Sequence, residues 1–385
     1  MTEMKDRSTK SLSQNPSVRG FGIGSKEEGA TDGQGTLRGR VSPAAALVEL
    51  LRKAATSLSG TDMGRRMGIS RAAVWKHVSR LRRDGYRIEG TPSQGYRLME
   101  TPDVLTPAEL GGQLTSKLLG RVLHYENEVD STNRLARELA QAGAAEGTVV
   151  IADAQTAGRG RLGRSWFSPR GLNLYLSVVL RPAIPPARAP QLALVAASAV
   201  VASVREVAGV RVAIKWPNDI LFRGRKVAGI LTEMSSEADQ VSFAIVGIGV
   251  NVNVSARVLD RELSGIATSL AAAAGRPINR AAFTVRLLAE LEQRYCRYLQ
   301  EGFGPLREEW ESHSCLTGHE VTVEGPGGRR RGRVVGIDKE GALCLRGPGG
   351  KALLVLAGDV TLSKTRRQTL GSLRSTRRRD RHGGR

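Results

Sequence analysis

Apolar positions fall along the chain in several distinct patterns, and each predicts a different architecture. Leu47, Leu50 and Leu51 recur at helical spacing after Ser42-Pro43, a cap followed by proline, and predict a first helix. A second short helix follows Thr61 and stops at Gly68. Ser70 then caps a third helix, in which Val74, Val78 and Leu81 repeat every three to four residues and face inward. Its opposite face carries Arg71, Trp75, Lys76, Ser79, Arg82 and Arg83. Two helices joined by a short Gly-containing turn, the second with a basic outer face, make a helix-turn-helix pattern. After Asp84-Gly85, short strands over 86–89 and 95–98 flank Thr91-Pro92-Ser93 and predict a hairpin of the size of a wing.

Between Thr106 and Leu316 strands and helices alternate. A helix starts at Ser131-Thr132 with Leu135 and Leu139 on it, and strands are predicted over 148–153, 173–180, 212–215, 226–233 and 241–250. Long helices are predicted over 190–208, stopped by Gly209, and over 277–300, with Phe283, Leu287, Leu291 and Tyr295 on one stripe. That alternation predicts an α/β domain with a substantial sheet. From Glu320 the texture shortens to Val321, Val323; Val334, Val335, Ile337; Leu343, Leu345; Leu354, Leu356, broken by Gly- and Pro-rich turns. Such spacing predicts a small barrel. The resulting division is a disordered leader (1–40), a winged helix-turn-helix domain (41–105), a mixed-sheet ligand-binding domain (106–316), a C-terminal barrel (317–363) and a disordered basic tail (364–385).

Charge sharpens this picture. Lys and Arg number 58 against 37 Asp and Glu, a net +21 over 385 residues. Residues 364–385 hold nine basic side chains and one acid, and residues 41–105 hold eleven and six. A basic N-terminal domain and a basic tail point to nucleic acid, although the tail alone reads as a solubilising segment. Cys296, Cys315 and Cys344 form no C-x-x-C, which argues against a disulfide framework or a zinc knuckle and for a reducing cytoplasm. No run of 18 apolar residues predicts a membrane span, and no apolar leader predicts secretion.

The densest chemical signal is Gly158-Arg159-Gly160-Arg161-Leu162-Gly163-Arg164-Ser165-Trp166. Three glycines let backbone approach a ligand, and three arginines offer forked donors for phosphate or carboxylate. The string nearly spells a P-loop, but Trp166 onwards reads as loop and strand, without the helix such a loop requires. An arginine-rich loop that binds RNA is the competing reading. Lys215-Trp216-Pro217-Asn218-Asp219, at a strand end, offers an anchor for an anionic ligand, or an ordinary strand-to-turn transition. Asp130-Ser131-Thr132-Asn133 alone reads as a helix cap. Gly247-Ile248-Gly249-Val250-Asn251 lacks the third glycine and the first strand of a dinucleotide site. No H-E-x-x-H or G-x-S-x-G is present and the five histidines are scattered, so no metal hydrolase, catalytic triad or metal site is expected.

Taken together and in order, these motifs resemble the bifunctional biotin protein ligase and biotin operon repressor of bacteria. The resemblance is carried by Asp130-Ser-Thr-Asn133, Gln155-Thr-Ala-Gly-Arg-Gly-Arg161 with Gly163-Arg164 and Trp166, and Lys215-Trp-Pro-Asn-Asp219. Arg225-Lys226-Val-Ala-Gly-Ile-Leu231, Gly247-Ile-Gly-Val-Asn251 and Ile69-Ser-Arg-Ala-Ala-Val-Trp-Lys-His77 extend it over roughly 42–363. It implies a class II synthetase-like central domain and an SH3-like C-terminal barrel. It also implies condensation of biotin with ATP and Mg²⁺ to biotinyl-5′-adenylate, then transfer to a lysine of the biotin carboxyl carrier protein of acetyl-CoA carboxylase. The adenylate acts as corepressor, and the partners are operator DNA and a second copy of the chain in a ligand-dependent homodimer. Two anions meet in the first step, so cations and N–H donors are the expected catalysts, and no protein nucleophile is required.

By resemblance Ser131, Thr132, Asn133, Gln155, Arg159, Gly160, Arg161 and Lys215 bind biotin, with Lys215 and Arg161 catalytic. Gly158, Arg164, Trp166 and Asn251 bind the nucleotide. Ser70, Arg71, Trp75, Lys76 and Arg80 contact DNA. The chain departs from the best-known pattern at Leu162, where a further basic residue would stand, and over 254–266, which carries no aromatic for adenine. A biotin-sensing DNA-binding regulator without transfer activity is the alternative, and the intact arginine loop argues against it.

Overall fold

The computed structural model describes residues 35–36, 43–91, 94–326 and 328–362. The predicted leader apart from Gly35–Thr36, the Ser42 cap, Pro92-Ser93 and the basic tail lie outside the described residues. Within the stretch read as a disordered leader, β1 (Gly35–Thr36) pairs antiparallel with His124 and Tyr125. The strand it joins would otherwise be a sheet edge with unpaired backbone groups.

The N-terminal part packs α1 (Pro43–Lys53), α2 (Gly60–Met67) and α3 (Arg71–Arg83) around Leu47, Leu51, Met63, Val74, Val78 and Leu81. Ser59 and Ser70 cap α2 and α3 by accepting the Asp62 and Ala73 N–H groups at 3.0 and 3.1 Å. Gly68, left-handed at φ +69°, ends α2 as its position predicts. A two-stranded hairpin of β2 (Arg87–Thr91) and β3 (Gly95–Glu100) follows. A linker then leads into α4 (Pro107–Leu110).

The central part is an eight-stranded mixed sheet. Besides β1 it contains β4 (Leu123–Glu126), β5 (Val149–Ala152), β6 (Leu174–Leu180), β7 (Ala213–Lys215), β8 (Asp219–Phe222), β9 (Arg225–Glu237) and β10 (Gln240–Val250). The order is β1-β4-β5-β6-β10-β9-β8-β7, and only β4 and β5 run parallel, connected through α5 (Thr132–Gln141). One face packs on α6 (Gln191–Ala208) and α9 (Arg280–Glu301), where Phe283, Leu287, Leu291 and Tyr295 are buried as their stripe predicts. The other face packs on α5 through Ala136, Ala140, Val150, Val179, Phe243 and Ile245. β4, β8, α7 (Ala256–Leu263), α8 (Leu270–Ala274) and α10 (Gly304–Ser312) were not legible from periodicity, being short or set in polar surroundings. Pro186–Ala208 is, by length and composition, apolar enough to cross a membrane, although no unbroken run of 18 apolar residues exists. Its most apolar window is 72% buried inside the protein, and the segment serves as the core helix between sheet and α9.

The C-terminal part is an antiparallel sheet of β11 (Glu320–Gly325), β12 (Gly328–Ile337), β13 (Leu343–Arg346), β14 (Ala352–Val355) and β15 (Asp359–Leu362), ordered β14-β13-β12-β11-β15. β14 and β15 occupy opposite edges yet are joined by residues 356–358 alone. A flat sheet would separate those edges by about 19 Å, beyond the ~15 Å that four Cα steps can reach, so the sheet curls. The inward residues of β14 are Val355, paired with Leu343, and the partly buried Leu353, whereas the expected Leu354 and Leu356 are exposed. Val335 likewise points out, because the register shifts between Val334 and Gly336.

Glu109 of α4, 3% exposed, joins the N-terminal and central parts. It accepts from Arg52 Nη2 at 2.7 Å, from the Tyr86 hydroxyl at 2.8 Å and from Gln113 Nε2 at 2.9 Å. Burial, and secondarily the charge of Glu109, push the Tyr86 phenol above its ordinary range, so it stays a donor. Removing the carboxylate strands three donors. Glu109→Ala is expected to lower unfolding free energy by about 1–3 kcal/mol, read from urea denaturation followed by tryptophan fluorescence.

Candidate functional site

The cleft arises from what the α5-facing side of the sheet lacks. Along β10 this side carries Phe243 and Ile245, covered by α5, and then Gly247 and Gly249. Gly247 pairs with Ser177 and Leu231, and Gly249 pairs with Tyr175 and Gly229. Half of the face therefore keeps its backbone ladder but loses its side-chain layer. The space is taken by two polar neighbours. A Cβ on Gly247 would lie 1.9 Å from Asn133 Oδ1, and one on Gly249 would lie 2.6 Å from the Trp166 ring. The Gly-x-Gly-x-Asn string is thus a sheet floor and not a phosphate loop.

Above the floor, the start of α5 is held by a polar network. The Thr132 N–H donates to Gln155 Oε1 at 2.9 Å, and Gln155 Nε2 donates to Ser168 at 3.0 Å. Ser177 Oγ lies 2.8 Å from Thr132 Oγ1 and donates to Asn133 Oδ1 at 2.7 Å. Asn133 Nδ2 donates to Glu233 at 2.8 Å, and Arg137 fixes the same carboxylate at 2.9 Å. Ser131 is the N-cap residue by position, yet its side chain makes no capping bond. The cap reading of Asp130–Asn133 therefore fails at the serine, whose side chain faces the cleft instead.

Residues 158–166 form a tight antiparallel loop. Gly160 N–H donates to Arg164 O at 2.7 Å and Trp166 N–H to Gly158 O at 2.9 Å, and no α-helix follows. The loop separates two spaces. A narrow cleft of about 50 Å³ is lined by Ser131, Thr132, Asn133, Gln155, Arg159 and Gly229, among others. A larger chamber of about 460 Å³ is lined by Arg164, Phe167, Lys215, Asp219, Asn251 and Asp359, among others. Gly160, Arg161, Trp166, Asn218 and Lys226 border both.

Two cations thus stand at the seam. Arg161 is half-buried, and its hydrogen bonds are to neutral acceptors, Asn218 Oδ1 at 3.3 Å and Gly358 O at 3.4 Å. Burial pulls its pKa down from the ordinary guanidinium value, partly opposed by the charge of Asp219. Lys226 Nζ lies 2.5 Å from Asp219 Oδ1 and 5.2 Å from the Trp166 ring centroid. Trp166 Nε1 is buried and finds no acceptor among the described residues. Among the described residues no three His, Cys, Asp or Glu side chains converge as metal ligands. The chamber's carboxylates are engaged by cations, Asp219 by Lys226 and Asp359 by Arg164.

The residues predicted from sequence do not all meet. Lys215 was expected beside Arg161 at the biotin carboxylate. It lines only the larger chamber, on the strand β7 that forms a hairpin with β8, and Lys226 occupies the seam. Asn251 is 2% exposed and donates to Thr268 O at 3.2 Å, so it acts as wall more than as contact. Gly158 is packed against Gln155, Trp166 and Ser168. Trp216 is a core anchor whose Nε1 donates to Gly341 O of the C-terminal part at 3.0 Å, behind a cis Trp216-Pro217 bond. Sequence reasoning missed Lys226, Asn218, Tyr175, Gly229 and Asp359. The Arg225–Leu231 string was the available signal for Lys226, but only strand register shows which of its residues face the cleft.

On α3, Arg71, Trp75, Lys76 and Arg80 are exposed side by side, Trp75 by 58%. Ser70, expected among the DNA contacts, uses its oxygen as the α3 cap. Arg82 holds the hairpin, donating to Ile88 O at 2.9 Å beneath Tyr96.

Three family models match the chain: an HTH domain over residues 44–97, the biotin/lipoate A/B protein ligase family over 126–253, and the biotin protein ligase C terminal domain over 317–363. The bifunctional ligase/repressor BirA of Bacillus subtilis is 44% identical over 300 residues, 78% of this chain and 92% of that protein. The protein of the same name from Escherichia coli is 34% identical, covering 76% and 88%. The biotin--[acetyl-CoA-carboxylase] ligase of Mycobacterium tuberculosis is 37% identical, covering 68% and 98%. Among solved structures, biotin protein ligase from Aquifex aeolicus in complex with biotin and ATP aligns with a TM-score of 0.55 at 32% identity, covering 63% of this chain and 99% of that one. With the helix-turn-helix, the mixed-sheet domain and the curled C-terminal sheet in this order, the chain belongs to the family of bifunctional biotin protein ligase/repressors.

Proposed function

We propose that the protein joins biotin to ATP, releasing pyrophosphate, and then passes biotin from biotinyl-5′-adenylate to a lysine amine of a biotin carboxyl carrier protein, releasing AMP. The observation that carries this reading is the pair of half-buried cations, Arg161 and Lys226, where the narrow cleft meets the chamber. A biotin carboxylate attacking the α-phosphorus must bring negative charge onto negative charge at such a seam. Fixed cations in a partly dry site lower that barrier without reorganising. Arg161, desolvated and hydrogen-bonded among the described residues to neutral acceptors, gains a counterion from the substrate.

The cleft side, with Ser131, Thr132, Asn133 and Gln155, takes the biotin head, and Arg159 and Gly160 close over it. The cleft is narrow, about 50 Å³, and the arginine loop forms part of its wall. The larger chamber takes Mg·ATP, with Trp166 and Phe167 as its aromatic surfaces and Arg164, Lys215 and Asn251 in its walls. We assign the carboxylate-binding cation to Lys226 rather than Lys215, since only Lys226 borders both spaces. The same reading takes the central domain as class II synthetase-like and the curled C-terminal sheet as an SH3-like barrel. It keeps domain limits at 41–105, 106–316 and 317–363, an adenylate-dependent homodimer and a cytoplasmic location. The exposed α3 face, in dimeric form, represses biotin synthesis genes by binding their operator, with phosphate contacts from Arg71, Lys76 and Arg80.

Two outcomes test this. Lys226→Ala is expected to cut adenylate formation about 10²–10³-fold by pyrophosphate release, and Lys215→Ala by less than about tenfold; the reverse order would return the role to Lys215. Fluorescence anisotropy on DNA from upstream of the host's biotin genes should show binding that tightens only with biotin and Mg·ATP together. There Arg71→Ala, Lys76→Ala and Arg80→Ala should each reduce the salt slope by about 0.9, and unchanged slopes would remove α3 as the DNA-binding face.

A further inference from the structure

One strongly bonded charge lies outside the seam. Arg280, the first residue of α9, is fully buried and its guanidinium spends its fork on three separate segments. Nε donates to Asp103 Oδ1 at 3.0 Å and Nη2 to the Asp103 carbonyl. Nη1 donates to Asp153 Oδ1 at 3.2 Å and to Asn173 O at 3.1 Å. Each segment leads somewhere different. Asp103 lies in the linker between β3 and α4, where the neighbouring Pro102 sits against Gly85 of the helix-turn-helix domain. Asp153 stands two residues before Gln155, which holds the start of α5. Asn173 Oδ1 accepts the Val252 N–H at 2.9 Å, next to Asn251, whose own N–H donates to Val227 O beside Lys226.

We propose that Arg280 is a positioning residue that couples ligand occupancy of the cleft and chamber to the placement of the linker that carries the DNA-binding domain. A guanidinium is planar and its donors cannot move independently. Buried in a medium with no water to substitute, it cannot give up one acceptor without a large cost. When ligand shifts the strap carrying Asp153 and Gln155, or the segment carrying Val252, the fork turns as a unit and Asp103 turns with it. Asn253 stitches the same corner from the other side, donating to Ile278 O at 2.8 Å and receiving the Ile278 N–H at 2.9 Å. Ligand binding therefore reaches the linker through one rigid group.

The linker arm of this inference is independent of the repressor reading, and only its DNA arm rests on it. Asp103 borders neither ligand space and its side chain is 46% exposed, so Asp103→Asn removes the charge that the Nε bond relies on without stranding a buried acid, leaving the backbone carbonyl as the main tie to Arg280. In the full-length wild type, biotin with Mg·ATP is expected to slow hydrogen exchange of amides 101–106. In Asp103→Asn, adenylate formation should stay within about twofold while that protection is clearly reduced and the ligand-induced gain in DNA affinity falls about tenfold. Arg280→Lys, which keeps the charge and gives up the fork, should lose the same protection and raise KM for biotin with little change in kcat. Wild-type protection retained in Asp103→Asn, or a wild-type linker indifferent to both ligands, overturns the coupling. A protected linker with DNA binding indifferent to ligand supports the coupling and counts against the repressor half of the proposed function.

Discussion

A hydrogen-bonded ladder needs backbone but not side chains, and the rest of the site is organised around that difference. Where β10 and β9 run side by side under α5, Ile245 and its neighbours fill the layer; two residues on, Gly247, Gly249 and Gly229 leave it open. The open layer admits the Asn133 amide and the Trp166 ring at distances that any Cβ would forbid. Trp166 in turn forms the surface over which Lys226 lies, and its loop carries Arg161 to the seam. The order of dependence runs from missing side chains to seated aromatic to placed charge.

The same chain uses arginine in two physical regimes. On α3 Arg71 and Arg80 are solvated and ready to exchange counterions with phosphates, which suits long-range, salt-sensitive attraction. At the seam Arg161 is half-dehydrated and, among the described residues, hydrogen-bonds to neutral acceptors, which suits a short-range bond with one anion. The net charge of +21 describes neither role, because its effect depends on how much water each guanidinium retains.

The parts are also welded together. Trp216 of the central part donates into the C-terminal sheet, and Val321, Val334 and Leu343 of that sheet belong to the same core as α6 and α9. Asp359 reaches back to line the larger chamber and holds Arg164. At the other end Glu109 and Arg280 fix the linker to the central part. A chain whose domains meet through buried polar groups transmits small displacements, since such groups are satisfied in few geometries.

By itself the sequence determined the helix-turn-helix, the two long helices and the strands at the heart of the sheet, because sustained periodicity reflects burial directly. It also singled out the loop that lies between the cleft and the chamber, since three arginines among glycines are improbable as packing. It did not determine which lysine stands at the seam: Lys215 and Lys226 are equally basic, and only the irregularity at Val227, which pairs Ala228 with Ile220 but Lys226 with Leu221, brings Lys226 onto the face of Gly229. Nor could it show that Leu354 and Leu356 point outward, because a one-residue register leaves no trace in composition. Arg280 is the clearest case. Its partners Asp103, Asp153 and Asn173 lie 107–177 residues away, and only folding brings them onto one guanidinium.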